Sequence, residues 1–231
     1  MGCSHTGVYS KGYYSGESGQ SNNTEHVVKA GETLYSIAFQ YRQDYRQLAR
    51  WNNIDNHYTI YPQQRLRVKR PTRIRTRYTK KDTNVNNSKH PANHSTVYKP
   101  EVKTRPGSQV LSWEWPTKGP ILSRFSASDP GQKGIDIGGR RGVPIYAAEA
   151  GYVVYSGSGL RGYGKLIIIK HNETFLSAYA HNNRLRVKEG EKVKKGERIA
   201  DMGDTGTDKV KLHFEIRRNG TPENPFKFLP K

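Results

Sequence analysis

Residues 132–136 read Gln-Lys-Gly-Ile-Asp, residues 179–181 read Tyr-Ala-His, and residues 211–213 read Lys-Leu-His. These motifs lie among short runs that are rich in β-branched and aromatic residues and are separated by Gly or Asn. The runs are 144–147, 151–155, 165–170, 175–179 and 212–217. Many short strands at this spacing predict an all-β domain of sandwich or barrel type, without a long helix.

The three motifs resemble those of the lysostaphin-type (LytM) zinc peptidase domain, and the resemblance covers nearly all of the C-terminal half. In that family the first motif is His-x-Gly-x-Asp and the last is His-x-His, and three protein ligands hold zinc while water takes the open position. The resemblance implies that Asp136 and His213 occupy ligand positions and that His181 occupies an assisting position. Gln132 stands where a zinc-binding His belongs, and Lys211 stands where a catalytic His belongs.

The two replaced positions are unfavourable for zinc chemistry. The amide of Gln132 is a poor zinc ligand. Lys211 is normally a cation at neutral pH, so it repels Zn²⁺ and cannot accept a proton from water. We therefore expect no bound metal, no other cofactor and no catalytic residue, and we expect the five positions to form a degenerate groove that receives a partner protein. A relic polar cluster held by hydrogen bonds stays open as an alternative, since buried polar groups are normally paired.

A smaller pattern precedes this domain. A strand candidate at 27–29 and a turn at 30–32 lead to Thr33, which can cap a helix whose apolar residues have i, i+3 and i+4 spacing. A second helix fits residues 44–51, and residues 65–68 alternate polar and apolar types as a half-buried strand does. The sequence thus predicts a small strand–helix–helix–strand domain within a fold that is mainly β.

This segment resembles the LysM domain through residues 28–34, 52–54 and 66–68, and it departs from the family at 62–63, where Pro-Gln replaces the commoner Gly-Gln. LysM domains bind glycans that contain N-acetylglucosamine, so the resemblance implies peptidoglycan as a partner. Backbone groups and small side chains on two loops would let a flat sugar approach. The implied glycan-binding residues are Gly31, Glu32, Thr33, Leu34, Ile54, Asp55 and Asn56.

The chain is strongly basic, with a formal net charge of +19, and 33% of its residues are hydrophobic. Residues 69–110 hold eleven Lys and Arg residues against Asp82 and Glu101, a net charge of +9. Such a segment cannot form a core and repels itself, which predicts a flexible basic linker. It lacks the regularly spaced aromatic residues of a single-strand binding surface. We therefore expect no nucleic-acid partner and favour adhesion to an anionic envelope polymer, with a solvated spacer as the open alternative.

Cys3 is the single cysteine of the chain and lies in the sequence Gly-Cys-Ser. This sequence resembles the processing point of bacterial lipoproteins, which implies that Cys3 carries a lipid anchor and that a signal before it is missing. An unpaired cysteine in a disordered tail stays open as an alternative. A lone cysteine excludes an intramolecular disulfide, and no stretch approaches the ~18 apolar residues of a membrane helix. The predicted divisions are a tether at 1–25, LysM at 26–69, the linker at 70–110 and degenerate LytM at 111–231.

A lipidated cysteine, a LysM domain, a basic linker and a degenerate LytM domain together resemble the NlpD-type envelope lipoproteins of Gram-negative bacteria. The segments that carry this resemblance are 133–137, 160–164, 166–171, 178–182 and 212–217. The resemblance implies a non-enzymatic activator of N-acetylmuramoyl-L-alanine amidases, which split septal peptidoglycan during daughter-cell separation. It also implies a position at the periplasmic face of the outer membrane. Two alternatives stay open: a zinc-dependent peptidoglycan endopeptidase with an atypical site, and an envelope lipoprotein that binds only the cell wall.

Overall fold

The computed structural model describes residues 24–71, 111–129 and 131–231. The predicted lipidation site Cys3, nearly all of the predicted tether and residues 72–110 of the predicted linker lie outside the described residues. The fold is mainly β, as predicted, and the described ranges contain two short α-helices. No helix in these ranges is long and apolar enough to cross a membrane.

The N-terminal domain pairs its first and last strands and packs two helices beside them. Its elements are β1 (Glu25–Val27), α1 (Leu34–Gln40), α2 (Tyr45–Trp51) and β2 (Arg65–Arg67). The predicted order of strand, helix, helix and strand is confirmed. Strand β1 begins two residues before the predicted start at 27, because Glu25 already pairs with Arg67 in the antiparallel ladder.

Each helix is preceded by an N-cap residue whose side chain accepts a hydrogen bond from a backbone N–H. Thr33 Oγ1 accepts from the N–H of Ser36 at 3.1 Å, and Ser36 Oγ accepts from the N–H of Thr33 at 3.0 Å, which completes a capping box. Asp44 Oδ1 accepts from the N–H of Arg46 at 2.8 Å. The apolar faces of the helices then share one core, formed by Val28, Leu34, Ile37, Ala38, Tyr45, Leu48, Ala49, Leu66 and Val68.

The C-terminal domain consists of two sheets, which confirms the prediction of an all-β domain. Its strands are β3 (Ile121–Ser123), β4 (Ile135–Gly138), β5 (Pro144–Tyr146), β6 (Gly151–Gly157), β7 (Leu166–Lys170), β8 (Phe175–Ala180), β9 (Asn182–Leu185), β10 (Lys192–Val193), β11 (Arg198–Met202), β12 (Lys211–Arg218) and β13 (Thr221–Glu223). The larger sheet has the order β10-β6-β7-β8-β12-β4-β3, with β13 paired to β12, and the smaller sheet has the order β5-β11-β9. One apolar core takes side chains from both sheets, among them Ile145, Ile199, Ile167 and Phe214.

Strand β12 lies inside the larger sheet, between β8 and β4. Its residues 212–217 are all buried, so both faces of the strand are covered although its sequence alternates polar and apolar residues. The chain before β4 approaches β12 so closely that a Cβ at Gly134 would overlap the carbonyl oxygen of Phe214. Glycine at this position therefore allows the first motif to lie beside the last.

Candidate functional site

The candidate site lies where three adjacent strands carry the three motifs. Antiparallel pairing sets His213 of β12 opposite Asp136 of β4 and opposite Ala180 of β8. His181 follows Ala180 directly, and the centroids of the His181 and His213 rings are 6.1 Å apart. The register of these strands brings together four of the five predicted groove positions, the fourth being Lys211.

Ion pairs and hydrogen bonds join Lys211, Asp136, His213, Glu215 and Arg217 into one chain, which we call the charge ladder. Lys211 Nζ donates to Asp136 Oδ2 at 2.8 Å, and His213 Nδ1 lies 2.7 Å from Asp136 Oδ1. His213 Nε2 lies 3.1 Å from Glu215 Oε1, and Arg217 Nε donates to Glu215 Oε2 at 2.7 Å. Cations and anions therefore alternate along the ladder.

Burial and charge act against each other in the ladder. Burial opposes the charged form of His213, but its hydrogen bonds to Asp136 and Glu215 and their negative charges outweigh burial and raise the pKa of His213 to about 9. Burial likewise favours a neutral Asp136, yet the hydrogen bonds and charges of His213 and Lys211 lower the pKa of Asp136 to about 2. The charge of Arg217 and the hydrogen bond of His213 overcome burial in the same way and lower the pKa of Glu215. All three groups are thus ionised at neutral pH.

His181 and Gln132 turn toward the backbone. His181 has a φ of 64°, a left-handed conformation that is uncommon outside glycine, and its Nδ1 lies 2.9 Å from the carbonyl oxygen of Thr205. Burial lowers the pKa of His181 to about 4, although the hydrogen bond to Thr205 acts in the opposite direction. The side-chain amide of Gln132 donates to the carbonyl oxygen of Gly134 at 3.1 Å. The site therefore pairs a charged imidazole with a neutral one.

The LytM resemblance implies zinc, and the residues present do not fit that metal. Both carboxylate oxygens of Asp136 are engaged, one by Lys211 and one by His213, and both ring nitrogens of His213 face carboxylates. A zinc ligand must be deprotonated, and a protonated imidazole has no free lone pair. Within the described ranges, no group of three or more His, Cys, Asp or Glu residues is placed to hold a metal ion. The positively charged side chains of Lys211 and His213, and not a metal ion, neutralise the carboxylate of Asp136.

Comparison with known proteins identifies both domains. The LysM domain family matches residues 26–69, and Peptidase family M23 matches residues 130–225. The chain is 44% identical to the "Lipoprotein NlpD/LppB homolog" of Pseudomonas aeruginosa, over 90% of this chain and 77% of that protein. The chain belongs to the NlpD/LppB lipoprotein family.

Two further relatives of this NlpD/LppB family member come from Escherichia coli K12. The "Uncharacterized lipoprotein YgeR" is 42% identical over 99% of this chain and 87% of its own length. The "Murein hydrolase activator NlpD" is 35% identical over 97% of this chain and 72% of its own length. The predicted limits of the tether and linker stay predictions, because most of those residues lie outside the described ranges.

The predicted glycan-binding residues of this NlpD/LppB family member differ in exposure. Gly31, Asp55 and Asn56 are exposed on the two loops. Leu34 is 1% exposed and belongs to the LysM core, against which Ile54 packs. In this arrangement Leu34 and Ile54 support the loops, while the exposed residues can meet a ligand.

The other two predicted glycan-binding residues already have partners. Glu32 Oε2 lies 2.7 Å from His26 Nε2 and accepts from the N–H of Lys29 at 2.8 Å. Thr33 Oγ1 donates to the carbonyl oxygen of Val154 in β6 at 3.1 Å. The first loop is therefore in contact with the M23 domain, and a glycan there would meet groups that are already engaged.

Three residues of the site were not singled out from the sequence. Glu215 and Arg217 extend the ladder, and the Tyr163 hydroxyl donates to Glu215 Oε1 at 2.9 Å and accepts from Arg217 Nη2 at 3.2 Å. The sequence contains a signal for Glu215 and Arg217, because residues two apart in a strand lie on the same face. The polar residues at 211, 213, 215 and 217 therefore had to lie side by side once the segment was recognised as a strand.

The stability of the protein should fall as the pH rises from 6.5 to 9. The pKa of His213 is raised from about 6.5 to about 9, so its stabilising contribution is complete below pH 6.5 and is lost as the pH rises through 9. A shift of this size corresponds to a loss on the order of 3 kcal/mol. Urea unfolding at pH 6.5, 7.5 and 9 measures it.

The matched control for this slope is another buried histidine. His213→Gln should abolish the slope, whereas His171→Gln should keep it, because burial lowers the pKa of His171 to about 4 and His171 therefore titrates below this window. A wild-type stability that stays flat or increases from pH 6.5 to 9 would contradict a protonated His213.

Proposed function

We propose that this protein activates murein hydrolases of the N-acetylmuramoyl-L-alanine amidase class and does not hydrolyse peptidoglycan itself. One relative carries the name murein hydrolase activator. The observation that carries the proposal is the charge ladder. Lys211 and His213 are both committed to Asp136, which leaves no ligand set for a metal ion that could activate water. An M23 domain of this kind is suited to binding rather than cutting.

We place the amidase contact at the groove formed by Gln132, Asp136, His181, Lys211 and His213. The Lys211 side chain is 20% exposed, so its ammonium group is partly open to a partner. An ammonium group has three donors, and Asp136 takes one of them. A carbonyl or carboxylate oxygen of the amidase can therefore bind Lys211 while the ladder stays intact.

Glycan binding and a lipid anchor would hold the protein in the cell envelope. The LysM domain binds peptidoglycan glycans through its two loops, where Asp55 and Asn56 are exposed. A lipid on Cys3 anchors the chain to the periplasmic face of the outer membrane. Relatives of this chain are named lipoproteins, which supports that position. An activator held there would direct amidases to septal peptidoglycan during daughter-cell separation.

The experiment that tests this function measures dye released from labelled sacculi. The purified protein, a candidate amidase and the mixture of both are each incubated with the sacculi. We expect release only from the mixture.

The variant Lys211→Met keeps the length of the side chain but removes its charge. When this variant is mixed with the amidase, we expect dye release to fall at least about tenfold, the loss from one desolvated charge contact.

The matched control is Lys209→Met, since Lys209 is exposed and lies two residues away on the same segment. It should activate as well as the native chain. Release by the protein alone that a chelator abolishes would instead identify a zinc-dependent endopeptidase. Retention on sacculi without activation of any amidase would identify a protein that only binds the cell wall.

A further inference from the structure

The LysM domain is joined to the M23 domain by one large apolar side chain. Phe39 of α1 is 2% exposed, yet it lies outside the LysM core. It packs instead with residues of the M23 domain, namely Tyr155, Leu160, Leu166, Ile168, Leu176, Ala178 and Ala180. The Phe39 ring centroid is 5.4 Å from that of Tyr163 and 3.2 Å from the guanidinium carbon of Arg217. A buried apolar residue outside the core of its own domain marks a docking surface.

Polar contacts surround Phe39 at this interface. The hydrogen bonds that cross it include Arg217 Nη1 to the carbonyl oxygen of Phe39 at 2.6 Å, the Tyr45 hydroxyl to Glu173 Oε2 at 2.6 Å, and Arg46 Nη2 to Asn219 Oδ1 at 2.8 Å. The interface thus consists of a small apolar contact surrounded by hydrogen bonds. Such an interface can open, because water can replace the hydrogen bonds when the two domains separate.

The docking surface overlaps the predicted glycan-binding loop. Thr33 lies on the first of the two loops, and its hydroxyl donates to the carbonyl oxygen of Val154. A threonine hydroxyl has a single proton to donate, so a sugar at this loop must displace the M23 domain or forgo that donor. The second loop remains open, since Asp55 and Asn56 are exposed. Docking thus occupies one half of the predicted glycan-binding surface.

The same docking surface is continuous with the proposed amidase groove. The carbonyl oxygen of Phe39 is bound by Arg217, which is paired with Glu215 and, through it, with His213. Tyr163 contacts Phe39 on one side, and its ring centroid is 6.1 Å from that of His213 on the other. The LysM domain therefore covers the end of the charge ladder opposite Lys211.

We propose that the M23 domain and glycans containing N-acetylglucosamine compete for the first loop of the LysM domain, so that glycan binding releases the LysM domain and uncovers the Tyr163 and Arg217 side of the groove. This inference rests on the proposed role of the LysM domain in glycan binding. Residues 72–110 join the two domains, and their covalent length, on the order of 100 Å, permits separation. A ligand that binds only the released state has its affinity reduced by the fraction of the protein in that state.

The test compares three full-length proteins: the native chain, Phe39→Gln and Gln40→Ala. Phe39→Gln removes the apolar contact and leaves a good helix-forming residue at a position outside the LysM core. Gln40 is exposed on the same helix, so Gln40→Ala is the matched control. Calorimetry measures binding of the N-acetylglucosamine tetramer, and small-angle scattering measures the separation of the domains.

We expect the domains of Phe39→Gln to lie further apart in solution than those of the native chain. We also expect this variant to bind the tetramer about tenfold or more tightly, because its LysM domain is already released from the M23 domain. Gln40→Ala should match the native chain in both measurements. Saturating tetramer should expand the native chain. Should Phe39→Gln stay compact, Phe39→Gln/Glu173→Ala removes the Tyr45 contact as well and is judged by the same results.

Two results would overturn the competition. An expanded variant with unchanged affinity would show that docking does not hinder the glycan, while the proposed glycan-binding role would stand. Absence of tetramer binding by all three proteins would remove both the competition and that role. The proposal of amidase activation is judged separately, by release of dye from sacculi.

Discussion

Glu215→Ala is expected to lower the free energy of unfolding by about 3–5 kcal/mol, the usual cost of removing one partner from a buried ion pair. Glu215 is 0% exposed and lies between two cations, with His213 Nε2 at 3.1 Å and Arg217 Nε at 2.7 Å. Alanine would leave a buried guanidinium and a buried imidazolium without the carboxylate between them. Urea unfolding at pH 7 measures the change. The comparison requires that the slope of the free energy of unfolding against urea concentration is the same for both proteins.

Three control variants separate loss of charge from loss of packing. Glu215→Gln keeps the volume and one acceptor, so it should cost less than alanine. Glu215→Met/Arg217→Met replaces the pair with apolar groups and should recover much of the loss, since well-packed apolar residues often replace a buried pair without penalty. Glu191 is exposed, and Glu191→Ala should change stability by less than about 0.5 kcal/mol. A cost below about 1 kcal/mol for Glu215→Ala would contradict a coupled ladder.

Much of the fold follows from local signals. Thr33 and Asp44 mark the starts of the two helices because their side chains cap nearby backbone N–H groups, and such contacts span only two or three residues. The β-rich runs likewise indicate strands from residue type alone. The predicted start of strand β1 at residue 27 is two residues too late. The first residue of the strand, Glu25, is fixed by its pairing with Arg67 and not by its neighbours in sequence.

The candidate site could be predicted as a set of positions and not as a network. The motifs identify Asp136, Lys211 and His213, but the sequence does not state which oxygen or nitrogen meets which partner. Those contacts depend on the register between β12 and β4, whose residues are more than seventy positions apart. The role of Glu215 was missed for a related reason. Alternation along a strand suggests an open polar face, whereas the fold buries both faces of β12.

Phe39 illustrates a second limit of the sequence. The apolar spacing of α1 selects Leu34, Ile37 and Ala38 for the LysM core, and Phe39 lies beyond that set. An apolar residue left out of the helical pattern signals that something covers it, but no local feature names the covering surface. That surface is formed by strands more than a hundred residues away, so only the packing of the two domains reveals it.

The double variant Gln132→His/Lys211→His is expected to bind about one zinc ion per chain, because it restores the residue types of a three-ligand site. Removal of the Lys211 ammonium frees Asp136 Oδ2, which it now occupies at 2.8 Å. Asp136 and His213 already lie within 2.7 Å of each other, so both can face one metal ion. Binding must expel the proton of His213, whose pKa is raised to about 9, so zinc affinity should increase with pH up to that value. Metal analysis after dialysis measures the zinc content.

Single substitutions show which positions matter for this zinc site. Lys211→His alone keeps Gln132 and should hold less than one zinc ion per chain, and Lys209→His adds an exposed histidine two residues away and should hold none. A folded double variant with no more zinc than Lys209→His would refute the ligand positions that the M23 resemblance assigns. One equivalent of zinc in the native chain would refute the argument from the charge ladder instead, and with it the proposal that the protein does not cut peptidoglycan. The two refutations are distinct because the first concerns where the metal would bind, and the second concerns whether Lys211 and His213 neutralise Asp136 in place of a metal ion.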